Sequence, residues 1–156
     1  MAIGYHDPMV RDALPYIPTP RPCDLLALVV DDDQTARDLL CTHLHGVANV
    51  TAMTDGTSAL RAYADAAALG TPFQLVCLDP GLPDMGGHEA LERFADLRRQ
   101  TGMDRPEGTR IVMTTSDGDP ARIAGAFARR CDGYLIKPIG AAQVATLLAT
   151  LRQARG

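Results

Sequence analysis

Hydrophobic and polar positions follow one another in five strand-then-helix units from Leu25 onward. The continuous apolar run over Leu25–Val30 is typical of a strand covered on both faces, and the mostly apolar segment Phe73–Leu78 predicts a largely buried strand. Alternation of polar and apolar residues over Asn49–Thr54 predicts an edge strand with one wet face. Two further short strands are predicted at Arg110–Thr114 and Gly133–Ile136.

Apolar residues three and four positions apart predict a helix after each strand. The five predicted helices are Gln34–His45, Thr57–Leu69, His88–Arg99, Pro120 to about Arg130, and Ala141–Arg155. Asp119 before Pro120 is a typical helix start, because Asp caps free backbone N–H groups and proline fits the first helical position. Five such repeats with short links predict an α/β fold, a doubly wound parallel sheet with helices on both faces.

Two segments depart from this pattern. Residues 1–24 hold five of the eleven prolines, a density that excludes a continuous helix or a central strand. We expect a proline-rich N-terminal arm over 1–24, either extended on the domain or a loose tail, and one domain over 25–156. The turn-rich connection at 100–109 is expected to be a plain surface insertion.

Composition narrows the class of protein. The chain has 156 residues, of which 46% are hydrophobic and 22% charged, and a net charge of −4. These values are typical of a globular domain and give no support to direct nucleic-acid binding. We expect no membrane association and a cytoplasmic location, because the apolar runs are short, no signal-peptide layout precedes them and the four cysteines form neither a CxxC nor a zinc pattern.

Polar residues stand directly after four of the five predicted strands, where ligands bind in parallel α/β sheets. They are Asp31, Asp32 and Asp33, then Asp79, then Thr115 and Ser116, and finally Lys137. Crowded carboxylates repel one another unless a cation intervenes, and Mg²⁺ prefers oxygen ligands, so we expect Mg²⁺ here. Lys137 is the only lysine beside fourteen arginines, and its compact charge suits a phosphoryl oxygen or a carboxylate. Asp33 has an equally good structural interpretation as the N-cap of the first helix.

Four motifs in register resemble the receiver domain of two-component response regulators. They are VVDDD (29–33), LVCLDPGLPDMGG (75–87), IVMTTS (111–116) and GYLIKP (133–138). The resemblance runs from about Leu25 to Arg155 and implies a flavodoxin-like (βα)5 fold with strand order 2-1-3-4-5.

The resemblance also assigns an acceptor and a metal site. It implies that Asp79 is the phosphoacceptor and that the site holds Mg²⁺. Asp32 would be a direct ligand, Asp31 would act through water, and Asp79 and the backbone carbonyl of Gly81 would complete the protein ligands.

The remaining roles concern the phosphoryl group. The Thr115 hydroxyl, the Ser116 amide and the Lys137 ammonium would bind it, and the peptide bond from Lys137 to Pro138 is expected to be cis. Tyr134 would be the switch aromatic that turns inward when Thr115 moves.

The resemblance also implies that two positions, one inside these motifs and one directly after the third, vary within the family and tune the lifetime of the phosphoryl group. They are Gly81 and Asp117. The proline after Asp79 also removes one backbone N–H beside the acceptor, so the lifetime itself is not predicted.

Partners follow from the same resemblance. A histidine kinase or a phosphotransfer protein would supply phosphate, and an unknown downstream protein would read the result. Arg122, Arg129 and Arg130 on the fourth helix form either a partner face or a solvated basic face, and dimerisation through the fourth and fifth helices stays open. The chain is expected to be either a stand-alone receiver or part of a larger regulator, a phosphoacceptor that assists its own turnover and not an enzyme.

Two other interpretations remain. Residues 31–35 also fit the DxDxT pattern of haloacid-dehalogenase-type phosphatases, with Asp31 as nucleophile and Asp33 as acid/base. That class needs a further acidic metal-binding segment after the lysine, and residues 138–156 contain no Asp or Glu. The other alternative is a receiver-like interaction module that is never phosphorylated.

Overall fold

The computed structural model describes residues 25–116, 118–128 and 131–155. The arm predicted over residues 1–24 lies outside this range, as do Asp117, Arg129 and Arg130. Strands and helices alternate in the described residues in the order β1 (Leu25–Val30), α1 (Gln34–Leu44), β2 (Ala48–Met53), α2 (Gly56–Ala68), β3 (Leu75–Leu78), α3 (Gly87–Gln100), β4 (Arg110–Thr115), α4 (Pro120–Ala128), β5 (Gly133–Ile136) and α5 (Ala141–Arg155). Each predicted element is present, with ends that differ by up to two residues.

The strands form one parallel sheet in the order β2-β1-β3-β4-β5. The predicted topology is confirmed, including the edge position of β2. All four residues of β3 are buried, because β3 lies at the centre of the sheet with helices on both faces. This explains the continuous apolar run of that strand.

Two apolar layers fill the space between sheet and helices. On one face Leu28, Val76 and Ile111 pack with Tyr63 of α2 and Phe94 of α3. On the other face a second group joins sheet residues to α1 and α5; its helical members include Leu40, Leu44, Val144, Leu148 and Leu151. Because apolar residues pack against both faces of the sheet, the ends of its strands have fixed positions. The backbone of the residues that directly follow these strand ends is positioned in the same way.

The third strand is shorter than predicted. Phe73 and Gln74 precede it, and the side-chain oxygen of Gln74 accepts the backbone N–H of Leu26 at 3.1 Å. A side chain thus takes the place of a backbone carbonyl in the ladder, and regular pairing begins at Leu75.

Helix starts follow the capping residues. Asp119 accepts the N–H of Ala121 at 3.0 Å, so the predicted cap of α4 is confirmed. Asp33 accepts the N–H of Thr35 at 3.1 Å and is the N-cap of α1. Gly70, which follows α2, has a φ of 78°, a conformation that glycine adopts at little cost.

The connection between α3 and β4 is tied into the core, contrary to the expected plain surface insertion. Met103 and Thr109 are buried, at 5% and 2% exposure. Thr109 donates its hydroxyl to the carbonyl of Phe73 at 2.6 Å and shares a hydrogen bond of 2.8 Å with the hydroxyl of Tyr63. The connection therefore links β4 to α2 and to the start of β3.

Within the described ranges, no helix combines the length and the apolar character needed to cross a membrane.

Candidate functional site

The register of the central strands brings two carboxylates together at the carboxyl edge of the sheet. Val30 pairs with Leu78, so the next residues, Asp31 and Asp79, leave neighbouring strands side by side. The N–H of Asp79 donates to the carbonyl of Val30 at 2.9 Å. One oxygen each from Asp31, Asp32 and Asp79 lie within 4.8 Å of one another.

Lys137 reaches this group from the other side. It follows β5, and its side chain crosses the end of β4 to lie 2.8 Å from Oδ2 of Asp31 and 3.4 Å from Oδ1 of Asp79. We call Asp31, Asp32, Asp79 and Lys137 the carboxyl-end cluster. Its formal charge is negative, because three carboxylates face one ammonium.

Asp31 is the most firmly held member. It is 4% exposed, and its Oδ1 accepts the N–H of Asp33 at 2.9 Å while Oδ2 faces Lys137. Arg37 of α1 donates to its backbone carbonyl at 2.8 Å. Asp32 is exposed and reaches the cluster from the solvent side.

The electrostatics of the cluster disfavour the ionised form of Asp79. Burial raises the pKa of Asp79 and the charge of Asp31 raises it further, while Lys137 and a backbone hydrogen bond from Gly81 lower it; the net shift is upward. Burial alone would lower the pKa of Lys137, but its hydrogen bond to Asp31 and the charges of Asp79 and Asp31 outweigh burial and raise it. Ionised Asp79 is thus costly to hold without more positive charge.

Gly81 leaves one side of Asp79 open. A Cβ at position 81 would lie 3.6 Å from Oδ2 of Asp79, so any side chain there would stand beside the carboxylate. Oδ1 lies on the side of Lys137. The glycine therefore keeps an approach to Asp79 clear.

The loop that carries Gly81 is fastened to α2. Oδ1 of Asp84 accepts the N–H of Gly56 at 2.8 Å, and Oδ2 accepts the N–H and the hydroxyl of Thr57 at 2.9 and 2.6 Å. These bonds hold the pKa of Asp84 at about 2. A Cβ at Gly56 would lie 2.5 Å from the Sδ of Met85, so any larger residue there would displace the end of the Met85 side chain.

Thr115 and Tyr134 lie on a different opening. Both line a cavity of about 570 Å³ between α3 and α4, together with Met113, Leu91 and Ile123. Tyr134 pairs with Met113 in the sheet and is 38% exposed. Arg122 of α4 and His88 of α3 also contribute to the lining.

Ser116 lies with Lys137 on the α1 side. They line a cleft of about 300 Å³ with Asp33 and Thr35. The peptide bond between Lys137 and Pro138 is cis, and the N–H of Lys137 donates to the carbonyl of Thr115 at 2.8 Å. The carboxyl ends of β4 and β5 therefore frame one side of the cluster.

This geometry agrees with the comparison with known families. The model of the response regulator receiver domain matches residues 27–149. The chain belongs to this family. It is a receiver domain of a two-component response regulator.

Two curated relatives are a response regulator and a regulatory protein. The two-component response regulator ORR41 of Oryza sativa subsp. japonica is 34% identical over 64% of this chain and 70% of its own length. The regulatory protein VanRB of Enterococcus faecalis is 33% identical over 72% of this chain and 45% of its own length. The chain thus matches less than half of the length of VanRB.

Solved structures show the same fold. The CheX–CheY–BeF3–Mg²⁺ complex from Borrelia burgdorferi contains a chain with a TM-score of 0.69 and 19% identity, matched over 81% of this chain and 88% of that one. At this identity the likeness concerns the fold.

Asp33 has the capping role that the sequence also allowed. Its carboxylate accepts the N–H of Thr35 and caps α1, so the proposed acid/base is engaged with the backbone of its own helix. Asp79, which the phosphatase interpretation leaves without a role, lies beside Asp31, Asp32 and Lys137 in the cluster.

Sequence reasoning missed three residues that support the site of this receiver domain. They are Arg37, Asp84 and Gln143. Each bonds mainly to backbone N–H or carbonyl groups, and the sequence carries no residue type that marks such partners. For Asp84 alone, its place inside the LPDMGG segment was a usable signal.

Proposed function

We propose that this receiver domain accepts a phosphoryl group on Asp79 from a histidine kinase, a phosphotransfer protein or a small phosphodonor. The observation that carries the proposal is the setting of the Asp79 carboxylate. It is 8% exposed, lies 3.4 Å from the Lys137 ammonium and is open on the side of Gly81. A carboxylate nucleophile beside a fixed cation is suited to forming a mixed anhydride with phosphate.

In the proposed step an oxygen of Asp79 attacks phosphorus in line. The bond between phosphorus and the donor's leaving atom breaks, and the leaving group departs with the electron pair. Lys137 neutralises charge on the transferred oxygens, and the Thr115 hydroxyl and the Ser116 amide donate hydrogen bonds to them. Later attack by water on phosphorus breaks the bond between phosphorus and the Asp79 oxygen, which releases inorganic phosphate and regenerates the carboxylate. In this proposal the domain is a phosphoacceptor that assists its own turnover.

Asp31, Asp32, Asp79 and the carbonyl of Gly81 would hold Mg²⁺. The three carboxylate oxygens within 4.8 Å form the all-oxygen donor set that a hard cation prefers. When bound, Mg²⁺ supplies positive charge that offsets charge on the transferring oxygens. A direct bond from Asp32 and a water-mediated one from Asp31 stay predictions.

The product would act as a switch. The added charge and acceptor oxygens attract the Thr115 hydroxyl, and its movement leaves room for the Tyr134 ring in the cavity of about 570 Å³ that both residues line. Burial of an aromatic ring changes the outer surface of β5 and α4, which a downstream protein or a second copy of the domain would read. Gly81 sets the phosphoryl lifetime in this proposal through the open approach that it leaves.

The test is the mass of the intact protein after incubation with acetyl phosphate and Mg²⁺. We expect the mass of one phosphoryl group to be added to the wild type and not to Asp79→Asn. Asp65→Asn is the matched control, since Asp65 is an exposed residue of α2 away from the site, and it should be phosphorylated like the wild type.

Two outcomes would overturn the proposal. An unmodified wild type would favour the interaction module that is never phosphorylated. Steady hydrolysis of phosphate esters that survives Asp79→Asn but is lost in Asp31→Asn would favour the phosphatase.

A further inference from the structure

Gln143, in the first turn of α5, forms hydrogen bonds with the backbone on both sides of Lys137, and we call these hydrogen bonds the clasp. Its Oε1 accepts the N–H of Ile136 at 3.1 Å, and its Nε2 donates to the carbonyls of Ile136 at 3.1 Å and Pro138 at 3.3 Å. The orientation of the amide follows from its partners, because an N–H only donates and a carbonyl only accepts. One side chain thus holds the residue before Lys137 and the residue after it.

The sheet topology explains why this backbone needs a side-chain partner. β5 is an edge strand. The N–H of Lys137 points inward to the carbonyl of Thr115, so the N–H and carbonyl of the preceding Ile136 point away from the sheet, because successive residues alternate. Gln143 supplies on that outer side the hydrogen bonds that a sixth strand would make.

The clasp has a rigid support. Val144, directly after Gln143, is 2% exposed, and Leu148 and Leu151 continue the buried face of α5. A group on a helix packed into the core is held more precisely than a group on a loop. The position of the Lys137 backbone is therefore set by β4 on one side and by the body of α5 on the other.

We propose that Gln143 is a positioning residue that fixes Lys137 for phosphoryl transfer to Asp79. Lysine has a flexible four-carbon stem, so placement of its ammonium depends on a fixed backbone. The ammonium lies 2.8 Å from Asp31 and 3.4 Å from Asp79, distances that a shift of the turn would change. The inference rests on the proposed function, since it assigns Gln143 a part in that reaction.

A double-mutant cycle tests the inference through the rate of phosphorylation by acetyl phosphate with Mg²⁺. The variants are Gln143→Met, Lys137→Met and the double variant, with Gln100→Met, an exposed position at the end of α3, as the matched control. We expect Gln143→Met to slow phosphorylation about tenfold and Lys137→Met about a hundredfold. The double variant should equal Lys137→Met, because a clasp that acts only through Lys137 has nothing left to position.

Two results would overturn the inference while the proposed function stands. One is a Gln143→Met rate equal to that of the wild type and Gln100→Met. The other is a double variant slowed by the product of the two single effects, which is expected if Gln143 has only a general structural role.

A replacement variant and a hydrogen-exchange measurement test the inference even if a variant does not fold or the wild type is not phosphorylated. If Gln143→Met does not fold, Gln143→Glu takes its place; its carboxylate can accept from Ile136 but cannot donate to the two carbonyls, so slower phosphorylation is again expected. Amide hydrogen exchange of the metal-free protein should quicken at Ile136 and Lys137 in the Gln143 variant and not in Gln100→Met. Unchanged exchange contradicts the clasp even if the wild type proves not to be phosphorylated.

Discussion

The two ends of the sheet each gather charged side chains, but they balance them differently. At the carboxyl end three carboxylates face one ammonium. At the amino end Asp132 lies 2.7 Å from Arg98 and 3.7 Å from Arg110, and it accepts the N–H of Ile111 at 2.8 Å. We call Arg98, Arg110 and Asp132 the amino-end cluster.

The difference separates function from stability. In the amino-end cluster two arginines face one carboxylate. Oδ2 of Asp132 accepts from Arg98 and from the N–H of Ile111, Oδ1 lies 3.7 Å from Arg110, and the cluster links α3, β4 and β5. The carboxyl-end cluster lacks positive charge, and the raised pKa of Asp79 reflects both its burial and the charge of Asp31. Folding thus leaves the negative charge of this cluster only partly compensated. Such uncompensated charge is typical of a site that binds a cation together with an anionic ligand.

The largest expected effect on stability is at the amino end. Arg98→Met should lower the free energy of unfolding by about 3 kcal/mol, because the buried Arg98 loses its hydrogen bonds to Asp132 and to the carbonyl of Thr109, and Asp132 loses its closest cation. Urea denaturation measures this. Arg93→Met is the control, since Arg93 forms an exposed ion pair with Glu89 at 2.8 Å, and should change stability by no more than about 0.5 kcal/mol. If both variants changed the free energy of unfolding equally, the distinction between the two ends of the sheet would be wrong.

At the carboxyl end, removing a carboxylate should have the opposite sign. Asp79→Asn should stabilise the metal-free protein at neutral pH by on the order of 1 kcal/mol, because it relieves repulsion from Asp31 and Asp32. The measurement is again urea denaturation, with EDTA present. A loss of stability would mean that the contact with Lys137 outweighs the repulsion.

The same carboxylate predicts a pH dependence. The folded-state pKa of Asp79 is raised above 3.8, so its protonated form stabilises the fold below that pH, and this contribution is lost as pH rises through the folded-state pKa. The difference in unfolding free energy between Asp79→Asn and the wild type should therefore grow as pH rises from about 4 toward neutrality. A difference that does not vary with pH contradicts the assignment.

A smaller effect on stability is expected at Asp84, whose carboxylate accepts three hydrogen bonds near the carboxyl-end cluster. Its pKa is lowered to about 2 by hydrogen bonds from Thr57 and Gly56. Its contribution to stability is present above 3.8 and is lost as pH falls toward about 2. Asp84→Asn should therefore be less stable than the wild type at neutral pH and nearly equal to it near the lower limit. A gap that persists at that limit would point to packing and not to charge.

Prediction from sequence succeeded where patterns are local. Apolar runs such as Leu75–Leu78 identify buried strands, and the residue that follows such a strand in a parallel sheet lies at the edge where ligands bind. This reasoning was enough to predict that Asp31, Asp79 and Lys137 meet.

Prediction failed where the partner is a backbone group or lies far along the chain. Gln143 bonds to the backbone of Ile136 and Pro138, and Arg98 finds Asp132 across 34 positions. Nothing in residue type distinguishes these side chains from solvated polar residues. The connection at 100–109 was misjudged for the same reason, since its anchors are Met103 and Thr109 against distant core residues.

The charge deficit at the carboxyl end is tested most directly by the effect of Mg²⁺ on unfolding. At a Mg²⁺ concentration about a hundred times its dissociation constant, the free energy of unfolding of the wild type should rise by about 2.7 kcal/mol. Arg93→Met should gain as much, while Asp32→Asn should gain far less at the same concentration. A wild type that Mg²⁺ leaves unchanged, or an Asp32→Asn variant stabilised equally, would contradict the account.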